Sequence, residues 1–82
     1  MSQSHRTEIE ARLFVFTCLG EMKQAGQLVQ AAADRPRLVA DLLRLYPLER
    51  WHEQRLISED QVTGWIEQAL TLLLPTEGEE TL

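Results

Sequence analysis

The sequence predicts an all-α fold: a small four-helix bundle, or three long helices and one short, with a disordered acidic C-terminal tail. Three observations carry this reading. Apolar residues recur at three- and four-residue steps along most of the chain, the spacing that gathers them on one face of a helix. Thr7, Asp34 and Ser58, residues that cap helix N-termini well, stand just ahead of those runs. Pro47 and Pro75 close two of them, because proline removes a backbone donor and disfavours a helical residue before it. With 82 residues, 44% hydrophobic and 26% charged, the composition is globular and the length allows one core.

The first helix is expected to begin at Thr7, after a flexible stretch over 1–6. Thr7 and Glu10 have capping-box spacing, in which hydroxyl and carboxylate satisfy each other's free backbone donors. Val15, Leu19, Met22, Gly26, Val29 and Ala33 then alternate at four- and three-residue steps, with Phe14, Cys18, Ala25, Leu28 and Ala32 alongside. A helix unbroken from Thr7 to Ala33 would be roughly 40 Å long. That is longer than a compact monomer of this size, so either Gly20 or Gly26 bends it or its end packs on a second subunit. The Phe and Val content of Leu13–Leu19 also suits a short strand, but the flanking periodicity favours helix.

The second helix follows Asp34, with Pro36 tolerated in the first turn. Leu38, Leu42 and Leu45 form one apolar row and Val39, Leu43 and Tyr46 another, so this element belongs at the centre. A short third helix restarts at Pro47 and runs to about Leu56, with Leu48, Trp51 and His52 inward. The fourth has the clearest signature. Ser58 caps it, Gln61 sits three residues on, Ile57 is placed to staple Val62, and Val62, Trp65, Ile66, Ala69, Leu70 and Leu73 form a continuous face. The single domain thus spans 7–75 and the acidic tail 76–82.

The charge pattern narrows the functions. Thirteen acidic and eight basic residues give −5, and the last third, from Leu56 on, holds six acids and no base. A nucleic-acid surface is disfavoured by that balance. Leu48–Leu70 has a helix-turn-helix outline, but the second helix shows Glu59, Asp60, Thr63, Glu67 and Gln68 to solvent, with no Arg or Lys for phosphate or guanine. Arg35, Arg37 and Arg44 would be the better DNA surface, though Asp34 and Asp41 alternate with them. One cysteine excludes an internal disulfide, and Cys18 lies in an apolar run with no His or Lys nearby to activate it. Glu49 and His52 have Glu-x-x-His spacing, but a lone pair at a frayed helix start makes a weak metal site. No nucleophile, base and oxyanion donor assemble. The sequence therefore predicts no catalytic residue, no metal and no cofactor.

The expected function is that of a non-enzymatic helical protein, an adaptor, chaperone or regulatory subunit, working through protein–protein contact as a homodimer. Self-association is assigned to Val15, Leu19, Met22, Gly26 and Val29. A partner surface is assigned to Tyr46, Pro47, Trp51 and Arg55 at the second corner, where aromatic and Arg anchors cluster. The alternative is a small acidic inhibitor or antitoxin-like protein whose Glu59, Asp60 and Glu67 imitate phosphates; a DNA-binding regulator ranks below it. The longest apolar run, Leu13–Gly20, is too short to span a bilayer and lacks a basic flank, so a cytoplasmic location is expected.

Overall fold

The computed structural model describes residues 3–74, with side chains from residue 5 onward. It contains five helices and, among the described residues, no strand: α1 (Gln3–Gln24), α2 (Leu28–Ala32), α3 (Arg35–Leu43), α4 (Leu48–Glu53) and α5 (Glu59–Leu73). The all-α reading holds, Leu13–Leu19 included. A fifth element arises because the long first helix is two. The expected tail over 76–82, and the stop at Pro75, lie outside the described residues.

Helix α1 starts at Gln3, so Thr7 is not its cap as expected. The helical turn continues back from Thr7, which lies inside the helix and is buried, and Arg6 Nε donates to Glu10 Oε2 at 3.3 Å as an exposed i,i+4 pair along it. At the other end the chain turns in a Schellman motif. Gly26 N–H donates to the Lys23 carbonyl at 3.0 Å and Gln27 N–H to the Met22 carbonyl at 2.9 Å. Gly26 takes φ +75°, which glycine adopts without a Cβ penalty. Of the two candidate glycines, Gly26 breaks the helix and α1 runs on through Gly20.

Asp34 caps α3 as expected, its Oδ1 accepting from Arg37 N–H at 3.3 Å, with Pro36 in the first turn. The helix stops earlier than Pro47 requires. Arg44 and Leu45 N–H groups turn to the Asp41 and Leu42 carbonyls three residues back, tightening the last turn. Leu38, Val39 and Leu42 are therefore buried, while Leu45 and Tyr46, the last members of the two apolar rows, fall outside the helix and are exposed. In α4, Leu48 is buried and Trp51 half-buried, but His52 is exposed, not inward. A second Schellman motif ends α4: Arg55 N–H donates to the His52 carbonyl at 3.0 Å and Leu56 N–H to the Trp51 carbonyl at 2.9 Å. Here the left-handed position is held by Arg55, at φ 63°.

The predicted capping box of α5 is present. Gln61 N–H donates to Ser58 Oγ at 3.1 Å and Ser58 N–H to Gln61 Oε1 at 2.9 Å. Gln61 also ties the two long helices together, its Nε2 donating to Glu8 Oε2 at 3.0 Å. That bond joins the start of α5 to the start of α1, and Leu73, at the end of α5, lines a pocket with Gly20 and Lys23 near the end of α1. The two therefore run parallel, and α2, α3 and α4 make the return. Ala11, Val15 and Leu19 of α1 meet Val62, Ile66, Ala69 and Leu70 of α5 in a core completed by Leu28, Leu38, Val39, Leu42, Leu48 and Ile57. Burying each such Leu or Ile contributes about 1.5–3 kcal/mol. Among the described residues no helix is long and apolar enough to cross a membrane.

Candidate functional site

Helix α1 has apolar side chains on two faces. One, through Ala11, Val15 and Leu19, is fully buried against the rest of the chain. The other follows Ile9, Leu13 and Phe16, again at four- and three-residue steps. It turns outward at Ile9, 52% exposed, and Leu13, 65% exposed, while Phe16 is partly buried and packs against the core. From α5, Leu72 projects to the same side and is 69% exposed. Together with Arg12, Gln68 and Thr71 these residues line a groove of about 570 Å³ between the parallel helices. Arg12, the one charged residue in the lining, has no ion-pair partner among the described residues.

The sequence-assigned residues are distributed differently. Val15 and Leu19 sit wholly within the chain's own core, Met22 is half-buried, Gly26 forms the turn after α1, and Val29 is exposed on α2. The five do not share a surface, which corrects their reading as a self-association seam. The periodicity was continued through Gly26 as if one helix ran to Ala33, and periodicity reports that a face is buried without saying against what. Tyr46 is 69% exposed and its peptide to Pro47 is cis. Trp51 is half-buried and packs on the core. Pro47 and Trp51 share a turn, the Pro47 carbonyl accepting from Trp51 N–H at 3.1 Å. Arg55 lies beyond the far end of α4 from Tyr46, beside Glu8, His52, Ser58, Glu59 and Gln61. The four flank α4 and form no single cluster.

The charged candidates are partly engaged within the chain. Arg35 donates to the Ala32 carbonyl at 2.9 Å and pairs with Glu67. Arg37 pairs with Asp41 at 3.7 Å. Of the proposed DNA-facing set, Arg44 is left exposed with neither kind of contact among the described residues; of the proposed phosphate mimics, Glu67 is committed to Arg35. Glu59 and Asp60 occupy the first turn of α5, where the helix dipole favours them. Glu49 and His52 are both exposed on α4, and no group of three His, Cys, Asp or Glu comes together among the described residues. Burial pushes the Cys18 thiol above its ordinary value, and the Glu21 carboxylate adds to the rise. That favours the neutral thiol over a nucleophilic thiolate.

The groove has a signature in the sequence. Ile9, Leu13 and Phe16 form a second row offset from the Val15 row on the same helix, and a helix with two rows has more apolar face than one core covers. Compared with known proteins, the chain matches no family model, and no curated protein and no solved structure is significantly similar to it.

Proposed function

We propose that this protein is a non-enzymatic interaction module that seats an apolar helical surface of another polypeptide in the groove between α1 and α5. One observation carries the reading: Ile9, Leu13, Phe16 and Leu72 stand together on one side of the molecule, in a groove with a single charged lining residue. Contiguous apolar surface on a small protein marks a binding face, and apolar anchors at i, i+4 and i+7 are what a docked helix engages. Binding of this kind is set by buried carbon and depends weakly on salt, whereas phosphate mimicry by the acidic last third would weaken steeply with ionic strength.

A photo-crosslinking residue placed in turn at Leu13, Leu72, Tyr46 and Glu53 in the native cell tests it. Adducts are expected at Leu13 and Leu72 and not at Glu53. Adducts confined to Tyr46 would move the binding face to the α3–α4 corner, and none at Leu13 or Leu72 would end the groove reading.

A further inference from the structure

We propose that the occupant of the groove is a second copy of this chain, laid antiparallel along α1 about a two-fold axis between Leu13 and Phe16. The inference rests on the groove being a binding face and adds what fills it. The outer row of α1 continues beyond Phe16 to Gly20, so Ile9, Leu13, Phe16 and Gly20 follow in steps of four, three and four. This is the alternation of a helix-on-helix seam, and it reads the same in both directions. Reversing a second copy about the midpoint sets Ile9 against the partner's Gly20 and Leu13 against the partner's Phe16. Each contact then occurs twice, as an isologous interface requires.

Gly20 supplies an independent argument. A glycine inside a helix destabilises it relative to alanine. Among the described residues the cost has no return: a Cβ built at Gly20 would meet nothing within 4 Å, and its φ needs no glycine. In the antiparallel pair its missing side chain is the recess that receives Ile9 of the other copy, a large residue facing a small one.

The area is sufficient. Ile9, Leu13 and Leu72 are 52%, 65% and 69% exposed, which leaves about 370 Å² of their surface in water, the size of the largest apolar patch on a typical monomer. Covering this face completely, flanking Arg12, Phe16, Gln68 and Thr71 included, buries roughly 600 Å² per copy, about 1,200 Å² in the pair, the low end for a specific interface. The two-fold also places the Arg12 flank of one copy beside the same flank of the other, so added salt does not loosen the pair.

Sedimentation equilibrium of the full chain, from about 5 to about 500 µM to bracket an interface of that size, is the first test. A monomer–dimer equilibrium is expected. Leu13→Glu weakens it at least about 100-fold with helicity unchanged, because the charge is buried twice. Gly20→Leu also abolishes pairing, while raising the melting temperature of the dilute, monomeric chain. In a Cys18→Ala background, a short bismaleimide joins Ile9→Cys to Gly20→Cys in a mixture and joins neither to itself. Self-crosslinking of Ile9→Cys, or a dimer indifferent to Leu13→Glu, overturns the proposal. A wild-type chain monomeric throughout also overturns it. If the photo-crosslinker at Leu13 then traps a different protein, the groove reading stands without self-pairing; if it traps nothing, both fall.

Discussion

Leu19→Ala and Leu13→Ala, six positions apart on α1, separate its two faces. Leu19 is fully buried in the core. Truncating it removes its transfer free energy and leaves a cavity that surrounding helices fill only in part, a cost of about 2.7–5 kcal/mol. For a domain of this size, 1 kcal/mol moves the melting temperature by about 4–8 °C, so even a 3 kcal/mol loss lowers it by roughly 12–24 °C. Leu13 is 65% exposed. Truncation to alanine removes roughly 70 Å² of side-chain surface, of which only about a third is buried here, and at about 25 cal/mol per Å² the loss is about 0.6 kcal/mol, part of which the better helix propensity of alanine offsets. The assay is urea unfolding followed by circular dichroism at low micromolar concentration, so that association does not contribute. Near-equal losses at the two positions, or a loss below about 1 kcal/mol at Leu19 where the cavity rule demands more, would mean that α1 is rotated from the orientation described and that the outer row is not free.

Three further outcomes follow from particular contacts. Ser58→Ala removes the hydroxyl that accepts from Gln61 N–H at 3.1 Å and costs about 1 kcal/mol, read as a lower urea midpoint at unchanged slope. Arg55→Gly relieves a left-handed backbone at φ 63° and stabilises by about 0.5–1 kcal/mol, whereas Gly26→Ala, at φ +75°, destabilises by at least as much; opposite signs in one thermal-melt series test both. Because the folded chain holds the Cys18 thiol neutral to higher pH, the unfolded chain ionises first as pH rises. Its contribution is therefore constant below the ordinary thiol range and lost as pH climbs through it. Wild type should lose stability relative to Cys18→Ala between neutral pH and pH ~10, across the thiol range, and Cys18 should react with Ellman's reagent more slowly than the same thiol in urea.

The Tyr46, Pro47, Trp51 and Arg55 assignment shows how far composition carries and where it stops. Aromatic and Arg residues near a proline do resemble an interface. Yet Trp51 leans on the core, Arg55 closes the α4 turn through its backbone, and Tyr46 is exposed at the other end of α4. Residue type alone does not distinguish an anchor from a lid on the core.

Local physics was legible in the chain itself. The caps at Asp34 and Ser58, the box with Gln61, the turn available at Gly26 and the inward face of α5 each depend on residues within a few positions of one another, and each forms as read. The start of α1 differs from the spacing because the helix continues back past Thr7 to Gln3, and capping-box spacing does not by itself exclude helix ahead of it. What tertiary structure alone decided is which of α1's two apolar rows the chain keeps for itself. Both rows satisfy helical spacing, and nothing within one helix ranks them. The choice comes from the parallel packing of α5, joined to α1 through Gln61 and Glu8, which turns Val15 and Leu19 inward. Ile9 and Leu13 are left on the outside, with Phe16 partly buried against the core, because one core of this size has no room for both rows.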